Sequence, residues 1–253
     1  MFQLEGKTAV IMGGTSTLGS AIAEGLAEYG ANIAIVGRNK EKAEEVVSRL
    51  QKYGTKVQAF FADVQEEDSL QSAADKIMEW AGTIDILLNA PGKNSQTPFL
   101  ELTMDEWDDI MGVNLKGIVL SCQIFSKKMI AASTPGSIIN ISSVSANTPL
   151  SKVVTYSASK AGVDSITKYL ARELAPNNIR VNAIVPGFFP AEQNRKILDK
   201  ERVESIMKQT PMNRFGNAEE LKGAAIFLAS NQASSFVTGE FLHVDGGFCV
   251  TKI

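Results

Sequence analysis

The sequence predicts an α/β protein built on a single doubly wound parallel sheet of seven strands, with helices on both faces. Short β-branched runs alternate about six times with longer segments of helical period, which indicates βαβ units and hence parallel strands. The chain has 253 residues, of which 44% are hydrophobic, so it can form one large packed domain spanning 1–253.

The predicted strands are short runs dominated by apolar residues. They are Thr8 to Met12, Asn32 to Val36, Val57 to Ala62, Ile84 to Asn89, Ser137 to Ile141, Arg180 to Val185 and Phe241 to Val244. Because all seven are too apolar to have a solvated face, we expect them to be buried in one sheet.

The predicted helices lie between these strands, and several begin with acidic residues that complement the helix dipole. They are Leu18 to Tyr29, Lys40 to Tyr53, Glu66 to Trp80, Met104 to Ala131, Tyr156 to Leu174 and Ala218 to Ala229. The acidic run from Asp105 to Asp109 is therefore interpreted as a helix start rather than a metal site. Prolines and a glycine surround a polar, helix-like segment near the end of the chain, so we expect a substrate lid over about 187–211.

Composition argues against several classes of partner. The formal net charge is −3, without basic or acidic blocks, so nucleic acid is not an expected partner. Cys122 and Cys249 lie far apart in apolar contexts, which predicts buried thiols in a reducing compartment and no metal cluster. The first apolar run is too short for a signal sequence or a membrane span, so a cytoplasmic protein is expected.

A glycine-rich turn joins the first predicted strand to the first predicted helix. It reads Gly13-Gly14-Thr15-Ser16-Thr17-Leu18-Gly19. Where no side chain intervenes, backbone N–H groups and the helix dipole can approach a pyrophosphate. The turn favours a dinucleotide site, although the glycines alone fit an ordinary tight turn equally well.

A tyrosine and a lysine in the fifth predicted helix form a candidate acid–base pair. Tyr156 and Lys160 are four residues apart, so a helix places them on one face, where the ammonium would lower the phenol pKa. Ser143 lies thirteen residues before Tyr156. Further short motifs are Asp63-Val64, Asn89-Ala90-Pro91-Gly92, Val113-Asn114, Ile141-Ser142-Ser143, Val185-Pro186-Gly187 and Val244-Asp245-Gly246-Gly247.

In this order and spacing, the motifs resemble those of the classical short-chain dehydrogenase/reductase family over nearly the whole chain. The family turn is Gly-x-x-x-Gly-x-Gly, and Thr17 here replaces its middle glycine. Because threonine can cap a helix, we expect a modified cofactor site. The resemblance implies a Rossmann-type fold, a homotetramer, and hydride transfer between NADP(H) or NAD(H) and a carbonyl or secondary alcohol.

The resemblance also implies residue roles. Tyr156 would protonate the carbonyl oxygen, Ser143 would hydrogen-bond it, and Lys160 would hold the nicotinamide ribose. Asn114 would keep a water in the proton relay behind Lys160. The implied cofactor contacts are Gly13, Thr15, Ser16, Thr17, Leu18, Gly19, Arg38, Asp63, Val64, Asn89, Ala90, Gly92, Tyr156, Lys160, Pro186, Gly187 and Phe189.

The end of the second predicted strand bears on cofactor choice. Gly37 stands where NAD-binding members of the family carry an acid, and Arg38 follows it. Arginine attracts the 2′-phosphate that an acid would repel, so NADP(H) is the predicted cofactor. The alternative is a surface arginine that begins a helix.

Polar residues in the lid suggest a polar substrate. The lid sequence from Gly187 to Arg195 resembles that of the D-mannonate oxidoreductases (fructuronate reductases) within this family. This predicts a sugar acid or polyol, such as fructuronate or mannonate, with Arg195 or Lys93 pairing a carboxylate. The expected substrate contacts are Lys93, Asn94, Ser145, Glu192 and Arg195.

Three alternatives remain open at this point. A 3-oxoacyl thioester (acyl-carrier-protein) reductase would share the fold and the catalytic residues. A non-catalytic dinucleotide-sensing module is suggested by the departures from the family pattern at Thr17, Ala90 and Ala191. A purely structural role is the third alternative. Separately, the polar lid residues could form a solvated helix that never contacts substrate.

Overall fold

A computed structural model describes residues 1–189 and 200–250. It contains seven strands: β1 (Thr8–Met12), β2 (Asn32–Gly37), β3 (Val57–Phe61), β4 (Ile86–Asn89), β5 (Gly136–Ile141), β6 (Ile179–Pro186) and β7 (Phe241–Val244). They form one parallel sheet in the order β3-β2-β1-β4-β5-β6-β7. The strand order reverses between β1 and β4, and a crevice forms outside the carboxyl ends of strands at such a point.

Helices pack on both faces of the sheet. They are α1 (Thr17–Glu28), α2 (Lys40–Leu50), α3 (Glu67–Ala81), α4 (Met104–Met111), α5 (Gly117–Ala131), α6 (Val154–Leu174), α7 (Lys200–Gln209) and α8 (Lys222–Ala229). Successive residues of β1 point to opposite faces, so Ile11 lies in the core with α1, α2 and α8, and Val10 lies in the core with α3, α5 and α6.

The predicted seven-stranded parallel fold is confirmed, but the expectation that every strand is buried is wrong at the sheet edges. The inner strands β1, β4, β5 and β6 are buried throughout. In β3, Gln58 is exposed and Phe61 is 47% exposed, and β7 is half-buried. Each edge strand has a neighbour on one side only, and the covering helices do not extend fully over it.

Two predicted helical segments take a different form. The segment from Met104 to Ala131 is not one α-helix, because a π-helical turn at Gly112–Lys116 separates α4 from α5. The polar lid segment contains α7. Residues 190–199 of the lid lie outside the described residues.

The acidic run near Asp105 begins a helix, as predicted. The hydroxyl of Thr103 caps α4 by accepting from the backbone N–H of Glu106 at 3.2 Å. Within the described ranges, no three His, Cys, Asp or Glu side chains group to hold a metal.

The two cysteines differ in burial. Cys122 is buried, and burial raises the pKa of its thiol to about 12. The prediction of a buried thiol is wrong for Cys249, which is exposed because it follows β7 in a surface turn. None of the helices in the described part of the chain is long and apolar enough to cross a membrane.

Candidate active site

The glycine turn packs closely enough that two of its glycines have no room for a side chain. Gly13 has a φ of +71°, and a Cβ there would lie 2.7 Å from the carbonyl oxygen of Ala90. A Cβ on Gly19 would lie 2.5 Å from the carbonyl oxygen of Gly13. The turn, the start of α1 and the end of β4 therefore form one compact unit.

The cap of α1 differs from the expectation. Ser16 is the N-cap, and its hydroxyl accepts from the backbone N–H of Gly19 at 3.1 Å. Thr17, which was expected to cap, is the exposed first residue of the helix. Ser16 takes the capping role because its backbone is extended, as a cap requires, whereas Thr17 is already helical.

A cleft of about 370 Å³ lies at the carboxyl ends of β1 and β4. Predicted cofactor residues in its wall are Gly13, Thr15, Ser16, Thr17, Leu18, Arg38, Val64, Ala90, Gly92, Tyr156 and Lys160. The N-terminus of α1 and the close-packed Gly13 fit a pyrophosphate, and Arg38 and Tyr156 line the same cleft. The residues present thus fit NADP(H).

Some predicted cofactor residues lie elsewhere. Asn89 is fully buried, and its amide donates to Asn140 Oδ1 at 2.9 Å and accepts from Ser121 Oγ at 2.7 Å. Its side chain therefore joins β4 to β5 and α5 instead of facing the cleft, because burial requires a partner for each polar atom. Gly187 and Phe189 line a second, smaller cavity, and Pro186 ends β6.

Two cations line the adenosine end of the cleft. Arg38 has a side chain that is 68% exposed, and its Nη1 lies 3.3 Å from Oδ2 of Asp63. Lys42, in the first turn of α2, lines the same cleft and was missed by the sequence analysis. Its spacing of four residues from Arg38, at a helix start, was the signal that could have found it.

Tyr156 lies where the two cavities meet. It lines the large cleft and also the second cavity, of about 100 Å³, which contains Ser143. Ser143 ends the sequence Ile141-Ser142-Ser143 after β5, and Tyr156 lies in the first turn of α6. The fold therefore brings the predicted acid and the predicted hydroxyl to one place.

The electrostatics of the pair differ from the expectation. Burial raises the pKa of Tyr156, and a side-chain hydrogen bond with Ser143 opposes the rise. Burial also lowers the pKa of Lys160 to about 8. The expectation that Lys160 lowers the phenol pKa is wrong here, because Lys160 Nζ donates to the carbonyl oxygen of Ile141 at 2.7 Å and lies 5.7 Å from the Tyr156 ring centre.

The Asn114 side chain is committed to neighbouring protein groups. Its Nδ2 donates to the Lys93 carbonyl oxygen at 2.9 Å and to Ser159 Oγ at 3.1 Å. Its Oδ1 accepts from the Lys93 N–H at 2.7 Å. These bonds fix the loop after β4 against the π-helical turn, and the predicted water relay stays a prediction.

Ser145 and Lys93 have partners within the protein, and their substrate roles stay predictions. The Ser145 hydroxyl and N–H donate to Ser143 Oγ at 3.1 and 3.2 Å, so Ser145 orients Ser143. Lys93 lines the large cleft, and its Nζ forms an ion pair with Asp109. Asn94 lines both cavities. Glu192 and Arg195 lie outside the described residues, as does Ala191.

The second cavity contains a cation that the sequence analysis missed. Arg202 of α7 lines it together with Ser143 and Tyr156. One guanidinium nitrogen of Arg202 donates to the Ser151 carbonyl oxygen at 3.3 Å. The helical period of the lid gave a signal for α7, but nothing local indicated which of its residues faces the cavity.

Comparison with known proteins gives the same family as the motifs. A family profile described as enoyl-(acyl carrier protein) reductase matches residues 13–249. The chain belongs to the short-chain dehydrogenase/reductase family. It is therefore an NAD(P)-dependent oxidoreductase, and the alternative of a non-catalytic sensing module is set aside.

Relatives within the family act on different substrates. The 3-oxoacyl-[acyl-carrier-protein] reductase of Aquifex aeolicus is 38% identical over 97% of this chain and 98% of its own. The gluconate 5-dehydrogenase of Gluconobacter oxydans is 34% identical over 99% and 98%. A solved gluconate 5-dehydrogenase of Burkholderia cenocepacia, in complex with NADP and tartrate, is 38% identical with a TM-score of 0.94, over 99% of this chain and 98% of that one.

Proposed function

We propose that this chain is an NADP(H)-dependent oxidoreductase that interconverts a carbonyl and a secondary alcohol on a sugar acid. The observation that carries the proposal is the position of Tyr156, which lines both the large cleft behind the glycine turn and the cavity that contains Ser143. A carbonyl held in the smaller cavity would lie beside the nicotinamide end of the larger one.

The side chains present can supply the proton and hold the carbonyl. The bound nicotinamide supplies the hydride. Ser143 Oγ accepts two hydrogen bonds from Ser145, so its own proton can be donated to the substrate oxygen. Tyr156 then donates its proton to the same oxygen as negative charge develops there. Lys160 lines the same cleft, where its ammonium would hold the nicotinamide ribose.

NADP(H) is the proposed cofactor because of the charges at the adenosine end. Gly37 places no carboxylate there, and Arg38 and Lys42 line the cleft. Charge-assisted contacts from such cations favour a 2′-phosphate. The NADP bound by the related gluconate 5-dehydrogenase is consistent with this assignment.

A sugar acid is the proposed substrate because of Arg202. Its guanidinium can pair with a carboxylate in the cavity that holds Ser143 and Tyr156. Relatives named for gluconate and for 5-keto-D-gluconate fit this class. Within it, fructuronate and mannonate are the specific pair suggested by the lid sequence.

A 3-oxoacyl thioester is the second candidate, and a specific observation favours it. Much of the wall of the second cavity is apolar, including Leu150, Val153 and Phe215. Apolar walls suit an acyl chain better than a polyol. The match to the Aquifex acyl-carrier-protein reductase points the same way.

A substrate panel separates the two. Keto sugar acids, neutral keto sugars, polyols and 3-oxoacyl thioesters are assayed with NADPH and NADH for wild type, Arg202→Ala and Arg202→Lys. We expect keto sugar acids to be reduced fastest, and Arg202→Ala to raise their KM by about tenfold or more, with partial recovery in Arg202→Lys. Faster reduction of acyl thioesters, or a KM unaffected by Arg202→Ala, would contradict the sugar-acid proposal.

A further inference from the structure

A buried carboxylate lies one helical turn beyond Lys160. Asp164 on α6 is 9% exposed. Its Oδ1 accepts a hydrogen bond from Ser142 Oγ, and its Oδ2 accepts from Asn147 Nδ2 at 3.2 Å. Burying a carboxylate is costly unless its oxygens have hydrogen-bond partners. These contacts therefore explain how the carboxylate can be buried, but not why a carboxylate is present at this position.

The partners of Asp164 enclose the segment that carries the substrate-binding hydroxyl. Ser142 directly precedes Ser143, and Asn147 directly follows the short 3-10 helix Val144–Ala146. One carboxylate therefore holds both ends of the 142–147 segment. Within that segment, Ser145 orients the Ser143 hydroxyl.

Asp164 and Lys160 bind neighbouring residues at the end of β5. Lys160 Nζ donates to the Ile141 carbonyl oxygen at 2.7 Å, and Asp164 binds the side chain of the next residue, Ser142. Two successive turns of α6 thus fix two successive residues of the chain. Tyr156 lies on the preceding turn of the same helix, so this arrangement sets its distance from Ser143.

We propose that Asp164 is a positioning residue for the carbonyl reduction proposed above: its carboxylate fixes the 142–147 segment and places a negative charge behind Lys160. The proposal rests on the proposed function, because Ser143 and Lys160 are its targets. The same Asp164 side chain contacts Ser142 and Asn147, and it lies one turn of α6 from Lys160.

The charges around Asp164 support its proposed electrostatic effect on Lys160. The cations that act on it are Lys160 and Lys168 of its own helix, and the 142–147 segment contributes the neutral donors Ser142 and Asn147. Burial raises the pKa of Asp164, and these four groups oppose the rise. Burial lowers the pKa of Lys160 to about 8, and the charge of Asp164 opposes that fall.

The two roles can be separated by substitution. Asp164→Asn keeps the shape and an acceptor oxygen for Ser142 but removes the charge. Lys160 then loses its proton at lower pH, so the alkaline limb of the kcat/KM profile moves to lower pH. The ratio of kcat/KM at pH 7 to that at pH 9 should rise by about three- to tenfold. Asp164→Glu keeps the negative charge, so its pH profile of kcat/KM should match that of wild type.

Ser142→Ala tests the anchoring role of Asp164, because it removes one hydrogen bond between the carboxylate and the 142–147 segment and leaves the negative charge in place. We expect kcat to fall by about tenfold with the alkaline limb unchanged. A Ser142→Ala enzyme with wild-type kcat would contradict the anchoring role, and an Asp164→Asn enzyme with a wild-type pH profile would contradict the charge role.

NADPH affinity, followed by fluorescence against pH, gives a readout that needs no substrate. Lys160 lines the cofactor cleft, so Asp164→Asn should weaken NADPH binding more at pH 9 than at pH 7. If Asp164→Asn fails to fold, Asp164→Ser replaces it in the same pH titrations, because serine also removes the charge, and Ser142→Ala still decides the anchoring role. If wild type reduces no carbonyl in the panel, the proposed function fails, whereas an unchanged pH dependence of binding contradicts the Asp164 proposal itself.

Discussion

At the scale of single residues, the hydroxyl of Tyr156 is the group on which the proposed chemistry depends. Tyr156→Phe removes only that hydroxyl, so turnover should fall by at least about 100-fold because the proton donor is lost. NADPH affinity should stay within about twofold of wild type. Steady-state kinetics measures turnover, and fluorescence titration measures NADPH affinity. Tyr169→Phe is the control, since Tyr169 is 67% exposed, and a Tyr156→Phe enzyme that keeps most of its turnover would contradict the assignment.

Cofactor choice is a second property of single residues. Arg38→Ala should weaken NADPH binding by about ten- to hundredfold and NADH binding little, because only NADPH carries the 2′-phosphate. Lys42→Ala should add to the loss, since both cations line the cleft. Lys40→Ala is the control, because that exposed side chain faces Glu44 at 3.8 Å. An equal loss for both cofactors would show that Arg38 does not read the phosphate.

Sequence spacing identifies Tyr156 and Lys160 as candidate catalytic side chains but does not identify all of their partners. Tyr156 and Lys160 share a helix, so their relation is local and readable. The Lys93–Asp109 ion pair and the Ser142–Asp164 hydrogen bond join residues that are distant in sequence, and only the folded chain brings them together. The same holds for the buried bond between Asn89 and Asn140, which the sequence did not predict.

At the scale of elements, the packing between the glycine turn and α1 gives a testable contrast between two helical glycines. A Cβ at Gly19 would lie 2.5 Å from a backbone oxygen, which cannot move without opening the turn. A Cβ at Gly223 in α8 meets nothing within 4 Å. Gly19→Ala should therefore lower the free energy of unfolding by about 1–3 kcal/mol and weaken NADPH binding. Gly223→Ala should raise the free energy of unfolding by about 0.5–1 kcal/mol, because alanine loses less conformational freedom on folding than glycine does.

Chemical denaturation of Gly19→Ala and Gly223→Ala measures the free energy of unfolding, and NADPH titration of the same variants measures cofactor affinity. Equal stability changes in the two would contradict the close packing of Gly19. A stability loss in Gly19→Ala without a loss of NADPH affinity would separate the turn from the cofactor site.

Elements were predictable where their signals are local. Apolar runs gave all seven strands to within about two residues, because burial on both faces leaves a continuous apolar pattern. The exposure of Phe61 was not predictable, since it depends on β3 being an edge strand. The π-helical turn at Gly112–Lys116 was missed because the apolar periodicity continues through it, and the contact of its Asn114 with the Lys93 backbone is distant in sequence.

At the scale of the whole molecule, a cluster of charges joins three segments on one face of the sheet. Glu24 of α1 accepts hydrogen bonds from Lys52 Nζ at 2.9 Å and from Tyr53 OH at 2.8 Å. Lys222 of α8 lies 3.7 Å from the same carboxylate. The segments are far apart in sequence, so their association is a property of the complete fold. The predicted homotetramer, which would be a further level of assembly, stays a prediction.

This cluster makes stability depend on pH. Hydrogen bonding by Lys52 is the main cause that lowers the pKa of Glu24 from 4.5 to about 2, with Tyr53 and Lys222 acting in the same direction against burial. Because the folded-state pKa lies below the unfolded one, the stabilisation is fully present above about pH 4.5. It is lost as the pH falls towards 2, where the carboxyl is protonated in the folded state too.

Glu24→Gln should therefore lower the free energy of unfolding by about 1–3 kcal/mol at pH 7, a range reduced for solvent screening. The difference from wild type should shrink as the pH falls from 4.5 and should be mostly lost by pH 2. Urea denaturation at several pH values measures this. Glu28→Gln is the matched control on the same helix, because Glu28 is 51% exposed and 4.0 Å from Lys222, so it should cost less than about 0.5 kcal/mol. A Glu24→Gln protein as stable as wild type at pH 7, or a difference that persists unchanged at pH 2, would show that the charge of Glu24 does not hold these segments together.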